Sequence, residues 1–214
     1  MVSKVYYLLI FLCEVTMSDN EQNRDKREEV WVHTFDEEAA HKFREHLIRQ
    51  AREAPSPNHP LIVYIDSYGG SADSLAAMIE TMDEIPNPVY TVCMGKAMSA
   101  GAFLLSHGDQ RFCGQHSRIM IHECAGFVCG NVNDISNETK ETQRINKHFL
   151  TLLAKNCKVR GGYGALRKIF RVHEGREIYM DAQAAKRFGI VDYIGVPVIE
   201  IALMYVTSTH KRQQ

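Results

Sequence analysis

What this 214-residue chain lacks narrows the field before any motif is considered. It has no excess of charge of either sign: 25 Lys and Arg stand against 26 Asp and Glu, and no basic stripe interleaved with aromatics runs through it. Nucleic acid is therefore not an expected partner. It has no CxxC pair, and its six cysteines (Cys13, Cys93, Cys113, Cys124, Cys129, Cys157) are scattered, several within apolar runs. That usage suits a reducing cytosol better than a disulfide scaffold. Only Cys124 and Cys129, with His122 just before them, approach a metal-binding spacing, and no second ligand cluster follows, so no metal is expected. No repeat or low-complexity tract occurs. The N-terminal apolar run YYLLIFLC is too short to span a bilayer, and the small-residue cleavage site of a secretory signal is missing after it.

Met17 opens a polar segment, Ser18 to Glu29, without one aliphatic or aromatic residue. With nothing to bury, it reads as a poorly ordered lead-in that takes in residues 1–29. Met17 is the expected natural start and residues 1–16 an upstream extension; a targeting or anchoring segment is the competing reading, which the intact mass of the native protein would decide.

What is present fits one globular domain over residues 30–200, followed by a tail at 201–214. Hydrophobic residues make up 45% and charged residues 24%, ordinary for a soluble protein long enough to bury a core. Thr34-Phe35-Asp36-Glu37 has capping-box spacing, and behind it Ala39, Phe43, Leu47 and Ala51 recur every four residues, which predicts a helix to about Arg52. Pro55, Pro57 and Pro60 stop it. Leu61 to Ile65 reads as a strand buried on both faces. After the turn Asp66–Gly70, a helix from Ser71 carries Leu75, Met78, Ile79 and Met82 on one face, and Val89 to Met94 is the next strand. This is a βαβ unit, so a parallel sheet in an α/β fold follows. Further helices are expected at Ala97–Leu105, Asn133–Lys158 and Ala165–Phe170. Arg118–His122, Ile178–Met180 and Ile190–Ile194 read as strands. Asp181 caps a helix ending at Gly189.

Ligands in such folds collect where strands end and helices begin. Three features fall there. Ser99 sits among small residues in Gly95-Lys96-Ala97-Met98-Ser99-Ala100-Gly101-Ala102, where a carbonyl could approach and helix N–H groups could stabilise charge; alone it could equally be a helix cap. Ser67-Tyr68-Gly69-Gly70 exposes backbone N–H groups and could form an oxyanion site, or be a plain turn. His122 ends the strand RIMIH, either as a rim residue or as a base for Ser99. Of the other histidines, His41, His46, His59, His107 and His210 lie on helix faces or polar loops that do not oppose this elbow.

Taken together, YIDSYGGSADSLAAMIETM, VCMGKAMSAGAFLLSHGDQRFC, SRIMIHE and DAQAAKRFGIVD resemble the Clp protease proteolytic subunit family (ClpP), serine peptidases related in fold to crotonase-type enzymes. The resemblance covers Leu61 to about Val196. It implies the ClpP/crotonase-like α/β fold of repeated βαβ units with a long handle helix at Asn133–Lys158. It also implies Ser99 as nucleophile, His122 as general base, and the amides of Gly70 and Ala100 as the oxyanion hole. No metal or cofactor is implied. Aligned on Gly189-Ile190-Val191-Asp192, Glu177 takes the position of the family's usual Asp as third triad member, with Glu174 and Asp181 as competitors on the same stretch. The family's members are cytoplasmic ATP-dependent endopeptidases that form a heptameric ring or a pair of them and cleave peptides or unfolded proteins fed by an ATP-driven unfoldase.

The departures are informative. Tyr68 stands where the family has proline, Ala100 follows the serine where Met is common, and no clear axial loop precedes Leu61, which puts the unfoldase partnership in question. Competing readings are a crotonase-like acyl-CoA enzyme, which needs no Ser–His pair; a membrane peptidase of the signal-peptide-degrading kind, for which Lys96 would be the base; and an inactive ring subunit that regulates a paralogue.

Overall fold

The computed structural model describes residues 29–126, 128–172 and 177–197. Calls for residues 1–28, Glu174, His210 and the tail at 201–214 lie outside them. Among the described residues there are seven strands and six helices in a mixed α/β arrangement. The sheet runs β1 (Val30–Val32), β2 (Leu61–Ser67), β3 (Val89–Met98), β4 (Gln110–Cys113) and β7 (Tyr193–Ile194), all parallel. β5 (Arg118–Ile121) joins the far end of β3 in parallel, and β6 (Ile178–Met180) pairs with β5 antiparallel.

β3 therefore serves two neighbours in succession. Tyr90 to Cys93 pair with β4, and Lys96 to Met98 pair with β5. Between these stretches its register with β2 slips, from Ile65↔Cys93 to Ser67↔Ala97. Gly95, at φ +92, takes the turn this irregularity requires. The continuation of β3 to Met98 is also why the next helix, α3 (Ala100–His107), starts later than the sequence suggested: Ala97 and Met98 are held by Ile119 and Met120. Residues Ala100 to Ser106 are all buried, as an apolar helix without a polar face must be.

β2 alternates buried Leu61, Val63, Ile65 and Ser67 with half-buried Ile62, Tyr64 and Asp66, rather than being buried on both faces. Along β1, Val30 and Val32 point inward and Trp31, 41% exposed, points out and stacks on Tyr64 (4.9 Å between centroids) and His33 (5.6 Å). Helix α1 (Glu37–Glu53) is capped by Asp36, whose carboxylate accepts the Ala39 N–H at 2.8 Å, not by Thr34 as its spacing suggested. The chain is still extended at Phe35, which forms a lone parallel bridge to Gly70. Helix α2 (Ala72–Glu84) is capped by Ser71 and buries Leu75, Met78, Ile79 and Met82, the stripe read from the sequence.

Helix α4 (Val132–Asn156) begins with a capping box of Asn131 and Asp134 and ends two residues short of the expected Lys158. Its second half buries Phe149, Leu150, Leu153 and Ala154, whereas Ile135, expected on the same apolar face, is 43% exposed and Val132 is 84% exposed. Helix α5 spans Gly162–Val172 and α6 spans Ala182–Phe188, capped by Asp181 and closed by Gly189 in the left-handed region. No helix among the described residues is long and apolar enough to cross a membrane.

β4 had no counterpart in the sequence reading because its buried members include a charge. Arg111 donates to Asp192 from Nε (2.8 Å) and Nη2 (2.6 Å), and from Nη1 to the carbonyls of Asn156 and Gly189 (both 2.9 Å). One guanidinium thus ties the ends of α4 and α6 to the sheet. Burial alone would raise the Asp192 carboxyl, but the hydrogen bond and charge of Arg111 together hold it below its ordinary 3.8. A depressed carboxyl stabilises the fold above that ordinary value and loses the contribution as pH falls through its lower folded value. Asp192→Asn leaves the Arg111 guanidinium without its charged partner. It should lower stability at pH 7 by about 1–2 kcal/mol, allowing for screening of a carboxylate that is one-third exposed, and flatten the pH dependence below about 4, as read by urea unfolding at several pH values.

Candidate active site

The register of β3 on β5 builds the site. Met98 is opposite Met120, and the chain then turns sharply at Ser99, whose φ of +53° and ψ of −122° are unusual for a residue with a side chain. Such a conformation costs on the order of 1–3 kcal/mol and persists only where the surroundings enforce it. Here the Ser99 N–H donates to the Met120 carbonyl at 2.9 Å, which pins the turn to β5. Two residues beyond Met120, His122 leaves the strand, and its Nε2 lies 2.7 Å from Ser99 Oγ. Ser99 occupies the cap position of α3 yet makes no side-chain capping bond, so its hydroxyl is committed to the imidazole.

The glycine turn lies against the same serine. A Cβ on Gly69, whose φ is +103°, would come within 2.7 Å of Ser99 Cβ, 2.8 Å of the Met98 carbonyl oxygen and 3.1 Å of the Ala100 nitrogen. The Ala100 N–H is the first of α3 and has no acceptor within its own helix. Gly70 is held from the other side by Phe35: the Ser71 N–H donates to the Phe35 carbonyl at 2.7 Å, and a Cβ on Gly70 would sit 2.5 Å from that oxygen. Gly69, Gly70, Ser99, Ala100 and His122 are thus brought together. Nothing in the sequence signalled the two backbone anchors, Phe35 and Met120.

The carboxylates are arranged differently. The antiparallel register of β5 on β6 pairs Ile121 with Ile178, so one further step puts Glu177 across from His122. Glu177 is exposed, and its Oε2 accepts the Tyr179 hydroxyl at 2.9 Å; no hydrogen bond joins it to His122 among the described residues. That hydrogen bond, with some burial, raises the Tyr179 phenol above its ordinary value. Asp181 is occupied as the cap of α6, accepting the Ala184 N–H at 2.7 Å. Lys96 donates to Asp66 at 2.7 Å and lies 4.5 Å from the centroid of the Tyr68 ring. The Asp66 hydrogen bond raises the Lys96 ammonium above its ordinary value, so the proton is held and the side chain is ill suited to act as a base. Among the described residues no three His, Cys, Asp or Glu side chains gather as a metal site would need.

A family model, Clp protease, matches residues 23–197. The chain belongs to the Clp protease family. Membership agrees with the mixed α/β fold and its parallel sheet, and it supports a peptidase function.

Proposed function

We propose that this Clp protease is a serine endopeptidase that hydrolyses peptides or unfolded proteins through an acyl-enzyme, with Ser99 as nucleophile and His122 as base. The observation that carries the reading is the 2.7 Å contact between Ser99 Oγ and His122 Nε2 at a turn held in an unfavourable backbone conformation. With the Nδ1 tautomer, His122 accepts the hydroxyl proton as Ser99 attacks the scissile carbonyl, then returns it to the leaving amine; water repeats the sequence on the ester. The N–H groups of Gly70 and Ala100 would hold the developing oxyanion, on a surface that Gly69 keeps free of side-chain cover. Glu177 would turn from Tyr179 to Nδ1–H and stabilise the imidazolium, the role its register position across from His122 suggests. The hydrolysis itself uses no ATP and no metal. By family resemblance the protein works as a homo-oligomeric ring in the cytoplasm, with ATP consumed only by any unfoldase that feeds it.

A second reading has one observation in its favour. With Glu177 held by Tyr179 and exposed, the triad is incomplete in the single chain, which fits a weakly active subunit in a ring with an active paralogue. Intact mass after incubation with a fluorophosphonate, followed by peptide mapping, tests both. One adduct per subunit on the peptide carrying Ser99 supports the endopeptidase; an assembled protein that acquires none would sink it in favour of the inactive subunit.

A further inference from the structure

His122 stands at the mouth of an irregular segment. The chain leaves β5 at Ile121, and α4 begins only at Val132. A base in that position needs its backbone held, and the strand ladder no longer does so. Both residues that follow His122 are instead held by one side chain. The Cys124 N–H donates to Asn146 Oδ1 at 2.9 Å, and Asn146 Nδ2 donates to Glu123 Oε1 at 3.1 Å. A primary amide is suited to this, because it offers an acceptor and a donor in one rigid plane. Asn146 is half-buried in α4, one turn before Phe149 and Leu150 and two before Leu153, whose burial fixes that stretch of helix in the core. Arg167 of α5 approaches the same Glu123 oxygen from another side, with Nε at 3.6 Å.

We infer that Asn146 is a positioning residue for His122: it fastens the segment leaving β5 to the packed half of α4 and so keeps the imidazole within reach of Ser99. This rests on the reading of Ser99 and His122 as nucleophile and base. The hydrogen bonds, not the charge on Glu123, carry the effect, since Asn146 is neutral and its first contact is to a backbone N–H. Asn146 touches neither reacting atom, so its removal acts on the rate of attack and leaves probe binding alone.

The test uses the full chain and a β-lactone probe, with the limiting acylation rate and the half-saturating concentration measured separately. Asn146→Ala should lower the limiting rate by about 10- to 100-fold, the loss expected when a reacting group is displaced by about an ångström. The half-saturating concentration should stay within about two-fold, since ground-state binding is untouched. Glu123→Gln, which keeps an oxygen for Asn146 and removes the charge, should acylate near the wild-type rate. A labelled wild type with an equally fast Asn146→Ala overturns the positioning role alone, as does a Glu123→Gln loss as large as the alanine one. A wild type that takes no label overturns the nucleophile assignment and this role with it. Should the alanine variant not fold, Asn146→Leu decides, because it keeps the bulk of the side chain and loses the bonds to both Cys124 and Glu123. A reduced limiting rate with unchanged half-saturation supports the role, and a wild-type rate overturns it.

Discussion

Ser99→Ala is expected to abolish peptide hydrolysis, a fall of up to about 10⁶-fold in kcat, while the fold stays intact. The loss follows from the single hydroxyl that faces His122 Nε2, for which alanine has no substitute. The fold should survive because the hydroxyl caps nothing: the turn is held by the backbone bond from Ser99 to Met120, which alanine keeps. His122→Ala should cost a comparable amount, and the double variant should be no worse than either single one, since nucleophile and base act as a unit. Turnover of a fluorogenic peptide, with thermal unfolding run alongside, checks all three. Additive losses in the double variant would show that His122 works on something other than Ser99.

The second large effect is expected from a residue with no side chain. Gly69→Ala should reduce acylation of Ser99 by about 10²-fold or more, the scale of losing one oxyanion donor. The new methyl group meets Ser99 Cβ at 2.7 Å, which real atoms do not tolerate, and it stands 3.1 Å from the Ala100 nitrogen, over the amide assigned to the oxyanion. The backbone penalty adds to this, because φ of +103° is rarely adopted by an L side chain. Something must shift, and each neighbour that can shift belongs to the site. Acylation by a β-lactone probe and unfolding in urea separate the two consequences: the rate should fall far more than the stability. An active Gly69→Ala would mean that the Ala100 amide is not used in the way proposed.

Much of this arrangement was legible in the residues because it depends on spacing along single elements. The apolar stripe of α2 and the glycines and serine at strand ends follow from periodicity and turn chemistry. What escaped depends on pairing between distant segments. Val30 to Val32 is too short to show a period, and it is a strand only because Val63 and Ile65 receive it. β4 carries a buried arginine that makes sense only beside Asp192. The cap of α1 moved from Thr34 to Asp36 because Phe35 is engaged by Gly70, and β3 outran its expected end because β5 extends its ladder. At the site, position marked Ser99 and His122 as candidates, and only the family resemblance joined them as a pair. The partner of Glu177 could not, since Tyr179 lies two residues away in the same strand region and its hydroxyl reaches back along the chain.

The single tryptophan has a use that follows from its place in β1. Its indole is stacked on Tyr64 and His33 at a half-open sheet edge, and the same short segment runs on to Phe35, the residue that clamps Gly70. Its emission therefore comes from one known spot, a few residues along the chain from the oxyanion turn. A change in wavelength or polarisation on ligand binding or subunit association would register the seating of that strand without an added dye, giving an optical handle on the glycine turn in the unlabelled protein.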